Sequence, residues 1–206
     1  MEFAEVVRRR KMVRTYDPDR PIPPDIVDRL LEHAVHAPSA GFSQGWAFLV
    51  LRTAQERQAF WDAATPEEPT LDAWLRGMST APLIIVALSN KSAYLDRYAE
   101  EDKGWADRDE TRWPVPYWDI DTGMASLLVL LTAVDEGLGA CFFGVPPDRV
   151  AALRAAFDVP AEYMPIGAMT VGYRRPDKLR SSARRGRKPM AEVTHFGKWN
   201  GASSLS

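Results

Sequence analysis

Ile120-Asp-Thr-Gly-Met-Ala-Ser-Leu-Leu-Val-Leu-Leu-Thr-Ala-Val-Asp-Glu-Gly-Leu-Gly-Ala-Cys-Phe-Phe-Gly144 is the stretch whose reading decides the fold. No charged side chain occurs from Thr122 to Val134. Apolar residues occupy every side of a helical period of about 3.6 residues, which predicts a helix buried all round. The run is shorter than the roughly 20 apolar residues of a membrane span. Gly123, Ala125 and Ser126 are small enough to let another helix approach. Gly137 and Gly139 suit a helix end, because glycine takes the left-handed position after the last turn without strain. Ala140 to Phe143 then reads as a short buried strand ending at Gly144.

Outward from this anchor, the C-terminal side opens with Pro146-Pro147-Asp148, a helix start that turns Val150, Leu153 and Phe157 inward. Met164 to Tyr173 is an apolar strand. Arg174 to Lys188 carries eight basic residues and the single acid Asp177. That run fits a solvated loop or half of an anion site. In the tail, 192–206, Phe196 and Trp199 are too apolar to be free and predict packing, with a partner subunit as one surface.

On the N-terminal side, Glu2 to Arg10 is a short helix with Phe3, Val6 and Val7 on one face. It runs into Arg8-Arg9-Arg10-Lys11-Met12-Val13-Arg14, which fits either a solvated basic helix end or a site for a dianionic phosphate. Pro21-Ile-Pro-Pro-Asp opens a second helix that Pro38 stops. Ser39 to Gly45 is a loop of mainly small residues, compatible with a ligand site or a plain turn, leading into a strand from Trp46 to Leu51. Gln55 to Ala64 and Leu71 to Met78 are helical. Leu83 to Leu88 is continuously apolar, which predicts a strand covered on both faces. Asn90 to Trp118 combines seven acids between Asp96 and Glu110 with Tyr94, Tyr98, Trp105, Trp113, Tyr117 and Trp118. It reads as a surface excursion packed on the core or, preferred here, a lid over a flat aromatic ligand.

At 206 residues the chain suffices for one domain with a sizeable core. A net charge of −2 argues against a general nucleic-acid binder. One cysteine, Cys141, excludes an intrachain disulfide, and an apolar setting predicts an inert thiol. The charged N-terminus is unlike a signal peptide, so a cytoplasmic protein with no membrane partner is expected. His33, His36 and His195 complete no recognisable metal set with any acid or thiol, so no metal site is expected. No nucleophile elbow, P-loop or dinucleotide fingerprint occurs. No catalytic side chain is assigned, and difficult chemistry would fall to a cofactor.

Three separated segments together resemble the nitroreductase family of FMN-dependent oxidoreductases. They are Arg10-Lys-Met-Val-Arg14; Ala37-Pro-Ser-Ala-Gly-Phe-Ser-Gln-Gly-Trp46; and Asp121-x-Gly-x-Ala followed by Gly137-Leu-Gly-Ala-Cys-Phe-Phe-Gly144. Arg185-Gly-Arg187-Lys-Pro189 sits where the family has its last phosphate contacts. The resemblance runs from near Arg10 to near Lys188. It implies an α+β fold, with a mixed central sheet flanked by helices, and an intertwined homodimer with FMN at the subunit interface. The chain would be one domain, 1–206, with 90–118 as a lid-like excursion and 190–206 as a C-terminal arm.

By position, the resemblance puts Arg10, Lys11, Arg185 and Arg187 on the phosphate, with Met12 beside them. Arg14 would face the ribityl chain or the flavin N1/O2 edge. Pro38, Ser39, Ala40, Gly41 and Gln44 would belong to the cofactor site, the loop reaching across from the other subunit. Phe143 and Gly144 would bring amides near N5. Phe42, Trp113, Tyr117 and Trp118 are the candidates for stacking. The implied activity is ping-pong hydride transfer from NAD(P)H to a quinone or nitroaromatic. Flavin fragmentation, reductive dehalogenation and a non-catalytic flavin-binding protein are the alternatives. Met12 stands where the family has serine, Phe42 where it has asparagine, Gly45 where it has proline, and Leu127 where it has asparagine.

Overall fold

The computed structural model describes residues 1–66, 73–176 and 186–199. They fall into two compact units, Met1–Pro176 and Asp177–Ser206. Within the first, four strands form a sheet in the order β1-β2-β4-β3, with β1 Trp46–Leu51, β2 Leu83–Asn90, β3 Gly139–Phe143 and β4 Tyr163–Gly172. All three pairings are antiparallel. The parallel component expected of a mixed sheet is confined, among the described residues, to one bridge between Met12 and Ala140.

β2 shows why its sequence is continuously apolar. Leu83, Ile85 and Ala87 point into one core layer, and Ile84, Val86 and Leu88 into the other. The first layer is covered by α2, Pro24–Val35, and α6, Tyr117–Asp135, through Val27, Leu30, Ala34, Val129, Leu130 and Ala133. The second is covered by α3, Ala54–Ala64, and α7, Val150–Ala156, through Phe60, Trp61, Ala64 and Leu153. Three further helices are α1, Phe3–Arg9; α4, Ala73–Met78; and α5, Lys91–Ala99. Residues 71 and 72, at the start of the expected fourth helix, lie outside the described residues. In the second unit, α8 spans Met190–Val193, and the rings of His195 and Trp199 lie 4.0 Å apart.

α6 ends as its glycine predicts. Gly137 has φ +72°, its N–H bonds the Val134 carbonyl at 3.0 Å, and the Leu138 N–H bonds the Ala133 carbonyl at 2.7 Å. That pair of bonds is a Schellman motif, which satisfies carbonyls the last turn leaves open. The expectation of burial all round is corrected on one side. Ile120, Met124 and Leu127 are 42%, 37% and 46% exposed. Spaced i, i+4 and i+7, they form one stripe. The helix is apolar all round, but the rest of the chain covers only part of it.

α3 starts on a capping box. The Glu56 N–H donates to Thr53 Oγ1 at 3.2 Å, and the Glu56 carboxylate accepts from the Thr53 and Arg52 N–H groups at 2.8 and 2.7 Å. The Thr53 and Arg52 amides hold the Glu56 carboxyl below its ordinary value of 4.5. A lowered folded-state pKa means that the stabilisation is fully present above 4.5 and fades as pH falls through the folded value. Thr53→Ala is expected to cost about 1 kcal/mol in urea unfolding at neutral pH. The deficit of Glu56→Gln against wild type should shrink in acid. A deficit that is independent of pH would contradict the cap.

Candidate functional site

The basic segment after α1 is fastened to the edge of the sheet. The Arg10 N–H caps α1 on the Val6 carbonyl at 3.0 Å, and the Val13 N–H donates to the Ala140 carbonyl at 2.9 Å. Val13 is buried against Gly139, where a Cβ would lie 2.7 Å from a Val13 methyl. Tyr16, fully buried, donates its hydroxyl to the Val13 carbonyl and shares a 2.9 Å bond with Thr170 Oγ1. Rigid backbone therefore carries Arg10, Lys11 and Arg14. Lys11 is exposed and the two arginines are half-exposed. None of the three has an ion-pair partner among the described residues, unlike Arg97, Arg108 and Arg112, which pair with Asp102, Asp96 and Asp107. Met12 bridges Ala140 and is packed on both core layers.

β3 ends at the second group of expected residues. The Phe143 ring stacks on Trp61 at 5.7 Å with 10° between planes, and meets Trp74 and Phe60 edge-on at 5.5 and 6.2 Å. This holds the backbone at Phe143–Gly144. A Cβ at Gly144 would meet nothing within 4 Å, so the space beside it is open. Cys141, on the same strand, is buried, and burial pushes its thiol up despite the opposing charge of Arg14. That is the inert setting expected of it.

The third group is the loop before β1. Ala40–Phe42 forms a single 3-10 turn. Gly41, Phe42 and Gln44 have φ of +63°, +58° and +49°. For residues with a Cβ this region costs about 1–2 kcal/mol each, and it persists only where neighbours impose it. The Gln44 N–H donates to Ser39 Oγ at 3.0 Å, and Arg97 Nε donates to the Gly41 carbonyl at 3.0 Å. The Ala40 N–H donates to Asp121 Oδ2 at 2.8 Å, and the Tyr94 hydroxyl donates to the same oxygen at 2.8 Å. Burial first, then Asp121, pushes the Tyr94 hydroxyl far above its ordinary range, so it stays a donor. Phe42 is 73% exposed, and Pro38 is exposed as well.

These groups do not form one pocket within the described residues of the chain. The 39–45 loop feeds β1 and the 10–14 segment adjoins β3, at opposite edges of the sheet. Three strand spacings, roughly 14 Å, separate those edges. Arg185 lies outside the described residues, and Arg187 belongs to the second unit.

In the 90–118 excursion, Trp113 is central. Its ring meets Tyr98 at 4.6 Å, Trp105 at 5.6 Å, Tyr117 at 5.8 Å, and Tyr94 and Trp118 at 6.0 Å. Lys91, Lys103 and Arg112 lie over the outer rings of Trp118, Tyr98 and Trp105. The rings of this segment are thus partners of one another. Its acids are largely spent on ion pairs with Lys91, Arg97, Arg108 and Arg112. Sequence reasoning missed Asp121 and Tyr94 as the fasteners of the 39–45 loop. A carboxylate in the first turns of an apolar helix was the available signal.

Comparison with known proteins bears on the family and the fold. A protein from Methanothermobacter thermautotrophicus, provisionally named an NADH dehydrogenase/NAD(P)H nitroreductase, is 29% identical over 84% of this chain and 78% of its own length. A crystal structure of a nitroreductase family protein from Clostridium novyi has a TM-score of 0.65 at 22% identity, covering 98% of this chain and 97% of that one. A structure from Exiguobacterium sibiricum, provisionally named a nitroreductase and in complex with FMN, has a TM-score of 0.71 at 21% identity, covering 95% of this chain and 97% of that one. The family model described as "Nitroreductase family" matches residues 7–173. With that match spanning the sheet, the basic segment and the 39–45 loop, the chain belongs to the nitroreductase family.

Proposed function

We propose that this protein is an FMN-dependent NAD(P)H oxidoreductase that reduces flat electrophilic acceptors such as quinones or nitroaromatics, acting as a homodimer in the cytoplasm. The observation that carries the reading is the trio Arg10, Lys11 and Arg14, which have no ion-pair partner among the described residues and sit on backbone that is pinned to β3. A phosphate dianion fits such a set through charge-assisted bonds. The open space at Gly144 fits the edge of a planar ring. Relatives named for NAD(P)H activity and a fold neighbour in complex with FMN support the same reading.

In this reading Arg10 and Lys11, with Arg185 and Arg187, hold the phosphate. Met12 lies against the cofactor, and Arg14 favours negative charge on the ring. Pro38, Ser39, Ala40, Gly41 and Gln44 reach the same cofactor from the second protomer. That arrangement answers the separation of the two groups at opposite sheet edges. The uncovered stripe Ile120, Met124 and Leu127 gives the two protomers an apolar surface to share. Phe42 is freely presented for stacking on an acceptor, with Trp113, Tyr117 and Trp118 forming the wall of the 90–118 segment beside it. Bound FMN would supply the hydride chemistry, taking electrons from NAD(P)H and giving them to the acceptor in turn. No side chain of this protein need carry the proton.

Anaerobic stopped-flow absorbance tests the reading. NADH or NADPH should bleach the yellow protein, and a quinone should restore the colour. A protein that neither nicotinamide bleaches is not this oxidoreductase. In the double variant Arg10→Ala/Arg187→Ala, two charge-assisted contacts of about 1.5–3 kcal/mol each are lost, so FMN should bind at least a hundredfold more weakly. Full flavin content in that variant would refute the phosphate assignment.

A further inference from the structure

Asp121 and Tyr94 are both buried, and the carboxylate oxygen that joins them also holds the 39–45 loop. One carboxylate oxygen, Asp121 Oδ2, accepts from the Ala40 N–H and from the Tyr94 hydroxyl, each at 2.8 Å. At the end of the loop, the Asn90 N–H donates to the Gly45 carbonyl at 2.8 Å. A Cβ at Gly45 would lie 2.6 Å from the Tyr94 ring and 2.7 Å from the Asn90 carbonyl, so ring and loop are in direct contact. One turn along α5, Arg97 holds the Gly41 carbonyl, and the Tyr98 ring lies 2.6 Å from where a Gly41 Cβ would be. The loop is therefore clamped at Ala40, Gly41 and Gly45, and the left-handed residues Gly41, Phe42 and Gln44 fall within or beside those points.

A loop with two non-glycine residues at positive φ relaxes unless its surroundings forbid it. The Asp121–Tyr94 pair is the buried part of that restraint. It also explains the excursion: Trp113 and its ring cluster pack on Tyr94 and Tyr98 and hold α5 against the loop.

We propose that Asp121 and Tyr94 are positioning residues, a buried hydrogen-bonded lock that keeps the 39–45 loop in its left-handed shape for contact with the cofactor, and that the 90–118 aromatic cluster is the buttress of this lock. The flavin half rests on the function proposed above; the lock itself does not. Deleting the Tyr94 hydroxyl leaves the ring packing in place and removes one bond to a buried carboxylate, while Asp121→Ala removes the acceptor from both donors.

Two measurements on the full-length protein test this. Amide hydrogen exchange of the flavin-free protein reads the lock. Tyr94→Phe and Asp121→Ala should each speed exchange of the 40–45 amides by roughly tenfold or more, with β2 amides unchanged. Asp121→Asn keeps an acceptor for Ala40 and should recover most of that loss. FMN titration reads the positioning: Tyr94→Phe should weaken binding about tenfold. Unchanged exchange in Tyr94→Phe overturns the lock, even if Asp121→Ala proves too unstable to purify. Asp121→Asn exchanging as fast as Asp121→Ala overturns it too. Faster exchange with unaltered FMN affinity overturns the positioning role. A wild-type protein that takes up no FMN overturns that role and the function proposed above, and leaves the exchange result to decide the lock.

Discussion

If the protein is the homodimer proposed above, Leu127→Glu is expected to leave each copy folded and to separate it from its partner. Leu127 lies on the α6 stripe with Ile120 and Met124, and it is 46% exposed in the protomer. Gly123 lies in the same stripe, and a Cβ there would meet nothing within 4 Å. Phe3 and Val7 of α1 add further exposed apolar surface. In the free protomer a glutamate at 127 points into water, and substitutions of that kind change stability by about 0.5 kcal/mol or less. In a two-fold interface it is buried twice without a counter-charge. Even at roughly 3 kcal/mol per dimer, association weakens by more than a hundredfold. Sedimentation should show wild type as a dimer and the variant as a monomer at the same concentration. The variant should also lose its flavin, because the proposed site takes its 39–45 loop from the second protomer. A variant that remains a dimer would show that α6 is not the shared face.

Gly77→Ala should damage stability and cofactor retention together. In the interior of a helix such as α4, alanine is ordinarily better than glycine by about 1 kcal/mol. Here the new Cβ would lie 2.2 Å from the Arg14 carbonyl oxygen and 3.1 Å from Thr15 Oγ1. The carbonyl cannot step aside easily. Val13 is tied to Ala140 just before it, and the Tyr16 N–H is tied to Thr80 Oγ1 at 3.0 Å just after it. The clash therefore outweighs the gain in propensity. Overpacking of this kind costs about 3 kcal/mol, which lowers the melting temperature of a chain this size by roughly 10 °C. Arg14 would be displaced as well, so the flavin content of the purified protein should fall. A melting temperature equal to or above wild type would mean that the two segments lie farther apart than described.

Apart from α5, Lys91–Ala99, which the aromatic and acidic 90–118 segment concealed, most of the secondary structure was legible, and particular residues show why. Leu83 to Leu88 alternates between two apolar layers, so an uninterrupted apolar run could only be a doubly covered strand. Gly137 marked the end of α6 because the left-handed turn there favours glycine. The cations at Arg10, Lys11 and Arg14 were visible as a cluster, but whether they were neutralised was not. The acidic 90–118 segment illustrates the opposite outcome of the same ambiguity. There the charges pair with one another, and the aromatic rings close on Trp113. Composition alone does not distinguish a free charge from a paired one, since pairing depends on distances across the fold.

By itself, the sequence determined the type and order of most helices and strands, that α6 had to be covered by apolar neighbours, and that two basic segments were available for an anion; it did not show α5, Lys91–Ala99, inside the segment read as an excursion. Only the tertiary structure decided which side of α6 the chain leaves open, that the basic segment and the 39–45 loop lie at opposite sheet edges, and that Asp121 joins Ala40 and Tyr94 across 81 and 27 residues of chain. The reason is physical. Periodicity and turn residues record how much surface each segment must bury and what its backbone can adopt, whereas the identity of the covering neighbour and the meeting of distant polar groups depend on how the whole chain packs.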